Sequence, residues 1–518
     1  MLLKISFLVL FFAMMLGIGA YYRKSASNVN GFVLGGRSVG PWLTAFAYGT
    51  SYFSAVIFVG YAGQFGWRFG VASTWIGIGN GLIGSLLAWE ILGRRTRIMS
   101  QHLGSATMPE FFGRRFDSKG LKVVASMITF IFMVPYTASL YNGLSRLFET
   151  AFHIDYTWCV VGMAVLTAVY VIIGGYMATA MADFIQGIIM LGGIVAVVAA
   201  VLNGQGGFTA AMTALSKIPA EGSEMSGAFT SFLGPDPWGL IGVVLLTSLG
   251  TWGLPQMVQK FYAIKNEGAI RKGTMISTLF ALVVASGCYF LGGFGRLFGS
   301  EVEVAGGKIV FDSIIPAMLH GLPDAIIGIV IVLVLSASMS TLSSLVLASS
   351  STITLDFINP LRKKPLEEKK SLLTMRVFIV FFIVVSAVIA IVQAKSSVTF
   401  IAQLMGISWG AMAGAFLAPF LYGLYWKGTT RAAVWISFVV GVGLMVANLL
   451  CTLLGVPFIN DFFSSPINAG VLAMVLGLVL VPIVSLFTRK MDKSLVDEMY
   501  MCYNRTVNVP AKDALEDK

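Results

Sequence analysis

A hydroxyl-rich helical face carries the clearest chemistry in this sequence. Ser336, Ser340, Ser343 and Ser344 follow an apolar run at positions i, i+4, i+7 and i+8, which places them on one side of a helix of membrane-spanning length. This face offers several neutral oxygens, and hard cations take such oxygens as ligands. The alternative is that each hydroxyl bonds to its own helix and that the small residues allow close packing. The stretch therefore predicts either a dehydrated cation site or a tightly packed helix surface.

The composition indicates a protein that crosses the membrane many times. Of its 518 residues, 57% are hydrophobic and only 11% are charged, whereas soluble domains contain roughly 25% charged residues. The formal charge of +11 does not indicate nucleic-acid binding, because the basic residues fall between apolar segments. The four cysteines form no CxxC pair and the three histidines are scattered, so we expect neither a disulfide framework nor a structural metal site.

The apolar segments predict an all-α integral membrane protein with about 13 transmembrane helices. They lie at roughly 2–22, 41–65, 71–92, 121–149, 156–175, 181–202, 238–258, 274–298, 325–356, 372–394, 398–424, 432–454 and 466–487. Most of the 35 lysines and arginines cluster at alternate ends of these segments. The positive-inside rule then predicts a multi-pass protein of the cell membrane with its N-terminus outside and its C-terminus in the cytoplasm.

Two of these segments are interrupted at corresponding positions. The second carries polar residues and glycines between Gly49 and Gly63, and the seventh is broken around Ser248–Pro255, five segments later. Paired interruptions indicate a five-plus-five inverted repeat with a site near the middle of the membrane, although glycine is common in membrane helices generally. The expected units are a first transmembrane helix, a first repeat, an external loop, a second repeat, two C-terminal helices and a cytoplasmic tail, at roughly 1–30, 31–203, 204–236, 237–426, 427–488 and 489–518.

Four motifs resemble those of the sodium:solute symporter family, and the likeness runs from about residue 30 to 435. They are Thr107–Phe116, Gly174–Ala178 leading to Ala182–Gly187, Pro255–Gln256 with Lys260 where arginine is usual, and Phe420–Arg431. The resemblance implies the leucine-transporter-type fold of the APC superfamily. It also implies sodium-coupled uptake of a small solute by alternating access, with Na+ as the coupling ion and no other cofactor.

The resemblance also implies the residues that bind sodium. The first site would use the carbonyls of Thr50, Phe53 and Ala337 and the hydroxyls of Ser340 and Thr341. These positions agree with the hydroxyl face found from spacing alone.

Some members of the family bind a second sodium through an acidic residue and further hydroxyls. Asp183, Ser340, Ser343 and Ser344 match that pattern, which predicts two sodium ions per transport cycle. An unpaired aspartate inside a membrane costs roughly 2.5–3.5 kcal/mol and needs a partner. That partner is either sodium, or Gln186, or a cation from the cytoplasmic side.

The resemblance places the solute among seven positions, which are Tyr52, Ser54, Val56, Ile57, Ser248, Trp252 and Gln403. The proline-transporting branch has an acidic residue where Tyr52 stands, and the sugar-transporting branch has polar residues at Val56 and Ile57. Both departures argue against those solutes, more strongly against sugars. The prediction is a small organic anion or zwitterion, either an amino acid such as proline or a pantothenate-like monocarboxylate, held by the exposed amides of a broken helix. Tyr52 and Trp252 are alternatively packing residues.

Other classes of protein fit the sequence less well. A membrane enzyme needs several converging titratable groups, and the apolar segments offer essentially Asp183 alone. A channel needs rings of charge or carbonyls from symmetric subunits. A proton-coupled symporter that uses Asp183 as the proton carrier is the closest alternative. The expected partners are the lipid bilayer, Na+ and the solute, with no nucleic acid and no required oligomer.

Overall fold

The computed structural model describes residues 2–152, 155–220, 226–305, 307–394 and 401–504, and these are almost entirely helical. The first half of the chain contains α1 Leu2–Tyr21, α2 Val29–Leu34, α3 Pro41–Tyr52, α4 Ala62–Phe69, α5 Thr74–Gly79, α6 Arg94–His102, α7 Met108–Arg115, α8 Lys119–Phe152, α9 Tyr156–Gly204 and α10 Phe208–Ser216. The second half contains α11 Pro237–Leu249, α12 Pro255–Ala263, α13 Glu267–Gly292, α14 Ile314–Leu319, α15 Asp324–Thr352, α16 Asn359–Leu361, α17 Glu368–Ala394, α18 Ile401–Tyr425, α19 Arg431–Leu454, α20 Asp461–Ser464, α21 Pro466–Phe487 and α22 Lys493–Tyr500. Wider π-helical turns occupy Val56–Tyr61, Asn80–Leu87, Trp89–Gly93 and Ile353–Ile358. A two-stranded antiparallel hairpin joins β1 Val304–Ala305 to β2 Lys308–Ile309.

The number of long apolar helices is compatible with the thirteen predicted spans. In the part of the chain that the structure describes, ten helices are long and apolar enough to cross a membrane, or eleven with one bent pair counted as a span. Two of the ten, Val56–His102 and Tyr156–Gly204, contain 47 and 49 residues. At 1.5 Å per residue each would extend about 70 Å, more than twice the ~30 Å hydrocarbon core. Each is broken at a glycine with positive φ, Gly70 or Gly175, and each covers more than one predicted span.

Both predicted interruptions are present as breaks of the helical path. In the second span, α3 ends at Tyr52 and helix resumes at Val56, so the break is shorter than the glycine-rich stretch suggested. In the seventh, a 3-10 turn at Gly250–Gly253 follows α11, and α12 starts with Pro255 after an extended Leu254. Proline at the first helical position fixes φ and lacks an N–H, so it starts a helix readily and interrupts one in progress. The two halves of the seventh span meet at a bend of 49°.

α15 lies at the centre of the helix packing. Every residue from Leu333 to Thr352 is buried. In the most apolar 18 residues of Asp324–Leu361, 72% of the residues are buried, whereas the corresponding share in Ile5–Lys24 is 17%. The predicted hydroxyl face is therefore directed at other helices and away from lipid. This position allows α3, α9 and α12 to contribute groups to it.

The Thr107–Phe116 motif folds as the helix α7, Met108–Arg115, with Thr107 as its N-cap. Its cap explains why it starts where it does. Thr107 Oγ1 accepts from Glu110 N at 3.2 Å, and Glu110 Oε2 accepts from Ala106 N at 2.9 Å. These reciprocal bonds resemble a capping box, which satisfies amides that an α-helix leaves without partners at its start.

Candidate functional site

The break in the second span exposes backbone carbonyls. Phe53 is extended, with φ −85° and ψ 116°, and the next helical segment begins only at Val56. Carbonyls at the end of a helix lose the amide donors that would follow four residues later. Thr50 O and Phe53 O are therefore placed next to the break, where a group from another helix can reach them.

The hydroxyls of α15 meet these carbonyls. Ser340 Oγ lies 3.1 Å from Thr50 O and 3.1 Å from Ala337 O. Thr341 Oγ1 lies 3.2 Å from Thr50 O, 3.3 Å from Phe53 O and 3.1 Å from Ala337 O. The structure thus brings together all five groups that the family resemblance assigned to the first sodium site.

This cluster contains more acceptors than protons. Three carbonyl oxygens and two hydroxyl oxygens converge, but the hydroxyls supply only one proton each. The five residues are at most 1% exposed, so bulk water does not reach the oxygen lone pairs that lack a proton. An oxygen-rich, uncharged and buried cluster is the type of environment that binds a dehydrated hard cation.

The second predicted site contains a cation of the protein itself. Asp183 on α9 is fully buried, and Lys260 Nζ on α12 lies 3.8 Å from Asp183 Oδ2. The same ammonium donates to Ser344 Oγ at 3.0 Å. Ser343 Oγ, by contrast, donates to Ser340 O of its own helix at 2.9 Å. The structure therefore brings Asp183 and Ser344 together around Lys260.

The sequence-based reasoning did not include Lys260 among the site residues. The sequence could have indicated this role, because a lysine inside an apolar broken span is energetically costly unless it has a buried partner. Gln186, proposed as one partner of Asp183, instead points its Nε2 to Met15 Sδ at 3.2 Å. Lys260 is thus the charged partner that the structure provides for Asp183.

Aromatic side chains surround part of the predicted solute position. The ring centroid of Tyr52 lies 6.1 Å from that of Trp409, and Tyr136 meets Trp409 edge-on at 5.9 Å. The Tyr136 hydroxyl interacts with the side chains of Trp409 and Ser54, whereas the buried Tyr52 hydroxyl has no hydrogen-bond partner among the described residues. Buried polar atoms normally have partners, so the Tyr52 hydroxyl has unused capacity to bind a polar solute. Tyr136 and Trp409 were not predicted from the sequence.

The remaining predicted solute positions have different roles. Ser248 Oγ bonds to Asn80 Oδ1 at 2.9 Å, and Asn80 was not predicted. Trp252 Nε1 donates to Ile83 O at 3.0 Å, which favours the packing interpretation of this tryptophan. Val56 and Ile57 are fully buried in the first turn after the break. The side chain of Gln403 lies outside the described residues, although the backbone at this position belongs to α18.

A largely buried ion cluster joins α7 to the helical turn Ile353–Ile358 that follows α15. Lys122 Nζ lies 3.4 Å from Glu110 Oε1 and 3.2 Å from Asp356 Oδ1, and Thr107 Oγ1 donates to Asp356 Oδ2. Burial raises the pKa of Glu110, but Lys122, a backbone amide and Arg114 lower it, and the net pKa lies below its usual value. The cluster is a structural contact between α7 and the end of the central span.

Comparison with known proteins identifies relatives along almost the whole chain. The model of the sodium:solute symporter family matches residues 32–441. The chain is 30% identical over 484 residues to sodium/proline symporter 2 of Staphylococcus saprophyticus, with 90% of each chain covered. It is 29% identical over 500 residues to the sodium/proline symporter of Staphylococcus aureus, covering 94% of this chain and 92% of the relative.

A solved structure of a Na+-coupled sialic acid symporter, in a substrate-bound outward-open state, has the same fold. Its TM-score is 0.75, with 95% of this chain and 99% of that chain covered and 16% sequence identity. This similarity confirms the predicted leucine-transporter-type fold.

Proposed function

Because the chain belongs to the sodium:solute symporter family, we propose that it carries a small carboxylate-bearing solute into the cell together with sodium. The chain is a sodium-coupled solute symporter and a multi-pass membrane protein. The identity of the solute, the residues that bind sodium and the orientation of the termini are parts of the proposal.

The observation that carries the proposal is the acceptor-rich cluster between the second-span break and α15. We assign the coupling sodium to Thr50 O, Phe53 O, Ala337 O, Ser340 Oγ and Thr341 Oγ1. Three of these groups are carbonyls that need no change of protonation to bind a cation, and the two hydroxyls can turn their protons away. Sodium bound there would join the broken span to α15, and this gives the ion a direct effect on the helix that also carries Tyr52.

We place the solute between Tyr52, Tyr136 and Trp409. A helix leaves its first amides without intrahelical acceptors, so the amides of Ala55 and Val56 are suited to a carboxylate, whereas those of Ile57 and Phe58 already donate to Ser54 O. The aromatic faces suit an ammonium or an apolar ring. A small amino acid satisfies both requirements, and a monocarboxylate satisfies the first. Proline is the first solute to test, because two relatives are named sodium/proline symporters.

The charge distribution supports an external N-terminus and a cytoplasmic C-terminus. Inward solute transport then proceeds with the sodium gradient and the membrane potential. We propose no cofactor besides the coupling ion and no catalytic role, since the polar groups assembled here can bind an ion and a solute.

Uptake into proteoliposomes tests the proposal. Purified protein is reconstituted, and radiolabelled proline, other amino acids, monocarboxylates, nucleobases and sugars are supplied with an inward sodium gradient. The expected result is accumulation of one carboxylate-bearing solute that stops when choline replaces sodium at fixed pH. Accumulation that persists in choline and follows an imposed pH gradient would contradict sodium coupling and favour the proton-coupled alternative.

A further inference from the structure

A lysine occupies the position at which the family resemblance implies a second sodium ion. Lys260 is 1% exposed, and its ammonium lies 3.0 Å from Ser344 Oγ and 3.8 Å from Asp183 Oδ2. The ammonium also lies 5.2 Å from the centroid of the Tyr176 ring, a favourable cation–π distance. Lys260, Asp183 and Ser344 belong to α12, α9 and α15, so three separate spans meet at this charge.

The lysine supplies what a bound sodium ion would supply at this position. It balances the single negative charge of Asp183, and it bonds to a hydroxyl of the same α15 face. In the described residues, neither carboxylate oxygen of Asp183 has a hydrogen-bond partner, so the ammonium is its electrostatic partner. A sodium ion bonded to both Asp183 and Ser344 would share this dry space with a second positive charge. Like charges a few ångströms apart in a low-dielectric interior repel strongly.

The ammonium is also connected to the second-span break. Ser344 Oγ lies 2.7 Å from Ser51 Oγ on α3, and Ser51 directly follows Thr50 in the chain. Lysine is attached to α12 through four methylene groups and cannot exchange with the solution as an ion does. A cation held in this way stabilises the contact between α12, α9 and α15 without being transported.

We propose that Lys260 is a built-in cation that replaces the second sodium, so that one sodium ion is transported with each solute. The inference rests on the proposed function, because it assumes that the first oxygen cluster binds the transported ion. In this arrangement, Lys260 is the permanent charge partner of Asp183. Lys260 is thus a positioning residue that also sets the number of coupling ions.

Equilibrium binding of radioactive sodium to the purified full-length protein tests the inference without requiring the solute. Wild type is expected to bind one sodium per chain. Lys260→Met leaves Asp183 without its cation and should create a second sodium-binding position, which raises the count to two. The double variant Lys260→Met with Asp183→Asn removes both charges and should return the count to one.

Two further variants serve as controls. Lys260→Arg keeps the positive charge and should bind one sodium. Lys265→Met removes an exposed lysine of the same cytoplasmic region and should also bind one. A separate variant, Thr341→Val in an otherwise unchanged chain, alters the first oxygen cluster and should weaken binding of the single sodium ion.

The outcomes separate this inference from the proposed function. Two sodium ions bound to wild type would overturn the inference and leave sodium coupling intact. This measurement remains decisive even if Lys260→Met does not fold. A count that stays at one in folded Lys260→Met would also overturn it, because the lysine would then not exclude an ion. Absence of any sodium binding by wild type would overturn the proposed function and this inference with it.

Discussion

Removing the hydroxyl of Thr341 tests the sodium cluster with little change of shape. Thr341→Val keeps the branching at Cβ and nearly the same side-chain size, and valine has one strongly preferred rotamer in a helix, so the packing of α15 changes little. The substitution removes one of the five oxygens, and that oxygen lies within 3.1–3.3 Å of three carbonyls. We therefore expect weaker sodium binding in a protein that still folds.

The expected change in the sodium dissociation constant follows from the loss of one neutral oxygen ligand of the ion. A hydrogen bond or similar contact with a charged group contributes about 1.5–3 kcal/mol. The dissociation constant for sodium should therefore rise roughly 10- to 150-fold. At a sodium concentration 100 times the wild-type constant, sodium stabilises the protein by about 2.7 kcal/mol, and a 30-fold weaker variant retains about 0.9 kcal/mol.

Thermal unfolding of the purified protein, with sodium titrated against choline, measures this difference. Ser350→Ala is the matched control, because Ser350 lies on the same helix, is fully buried and donates only to Leu347 O of its own helix at 3.1 Å. Its sodium dependence should equal that of wild type. An unchanged sodium constant in folded Thr341→Val, or an equal change in Ser350→Ala, would refute the assignment of the cluster.

Three other substitutions test separate parts of the structure. Tyr52→Phe removes a buried hydroxyl without a described partner and should raise the solute concentration for half-maximal uptake roughly 2- to 10-fold, with sodium binding in the absence of solute unchanged; equal kinetics would place the solute elsewhere. Glu110→Gln should lower the free energy of unfolding by about 2 kcal/mol at pH 7. The pKa of Glu110 is lowered in the folded protein, so the stability that its carboxylate contributes is lost as the pH falls through that pKa. The difference between variant and wild type in thermal unfolding should therefore disappear in acid. Gly175→Ala places a Cβ at φ 56°, 2.9 Å from the Phe32 ring, and should lower the free energy of unfolding by about 1–3 kcal/mol. The control Gly192→Ala lies in the same helix, its Cβ meets nothing within 4 Å, and it should be neutral or slightly stabilising. Equal stability of both variants would contradict the role of Gly175.

The sequence was sufficient to predict the parts of the fold and site that depend on local pattern. Helical spacing placed Ser340 on the hydroxyl face, and the glycines and proline of the two interrupted spans predicted the breaks. The apolar segments around Gly175 were predicted as two spans, and the positive φ of this glycine breaks the helical path between them, so Tyr156–Gly204 serves both spans.

Contacts between distant spans could not be predicted in the same way. Asp183, Lys260 and Ser344 are separated by many residues, and their meeting depends on the rotation of three helices about their axes. Helix rotation is set by side-chain packing over the whole interface, which no single segment reveals. The same reason applies to Asn80, whose contact with Ser248 crosses 168 positions of the chain.

A permanent ammonium beside Asp183 has a consequence for the return step of the transport cycle. A symporter must return to its outward-open state after both sodium and solute have left. With an exchangeable sodium as its only partner, the Asp183 carboxylate would be uncompensated during this step, at a cost of roughly 2.5–3.5 kcal/mol by insertion scales. Lys260 stays attached through the whole cycle, so the charge of Asp183 remains balanced whether or not ions are bound. The neutral oxygen cluster at Thr341 carries no formal charge when sodium leaves, so the empty carrier has no unpaired charge at either position. In the proposed one-sodium cycle, the transported ion provides coupling, and the lysine removes the penalty that a second exchangeable ion would impose on the return.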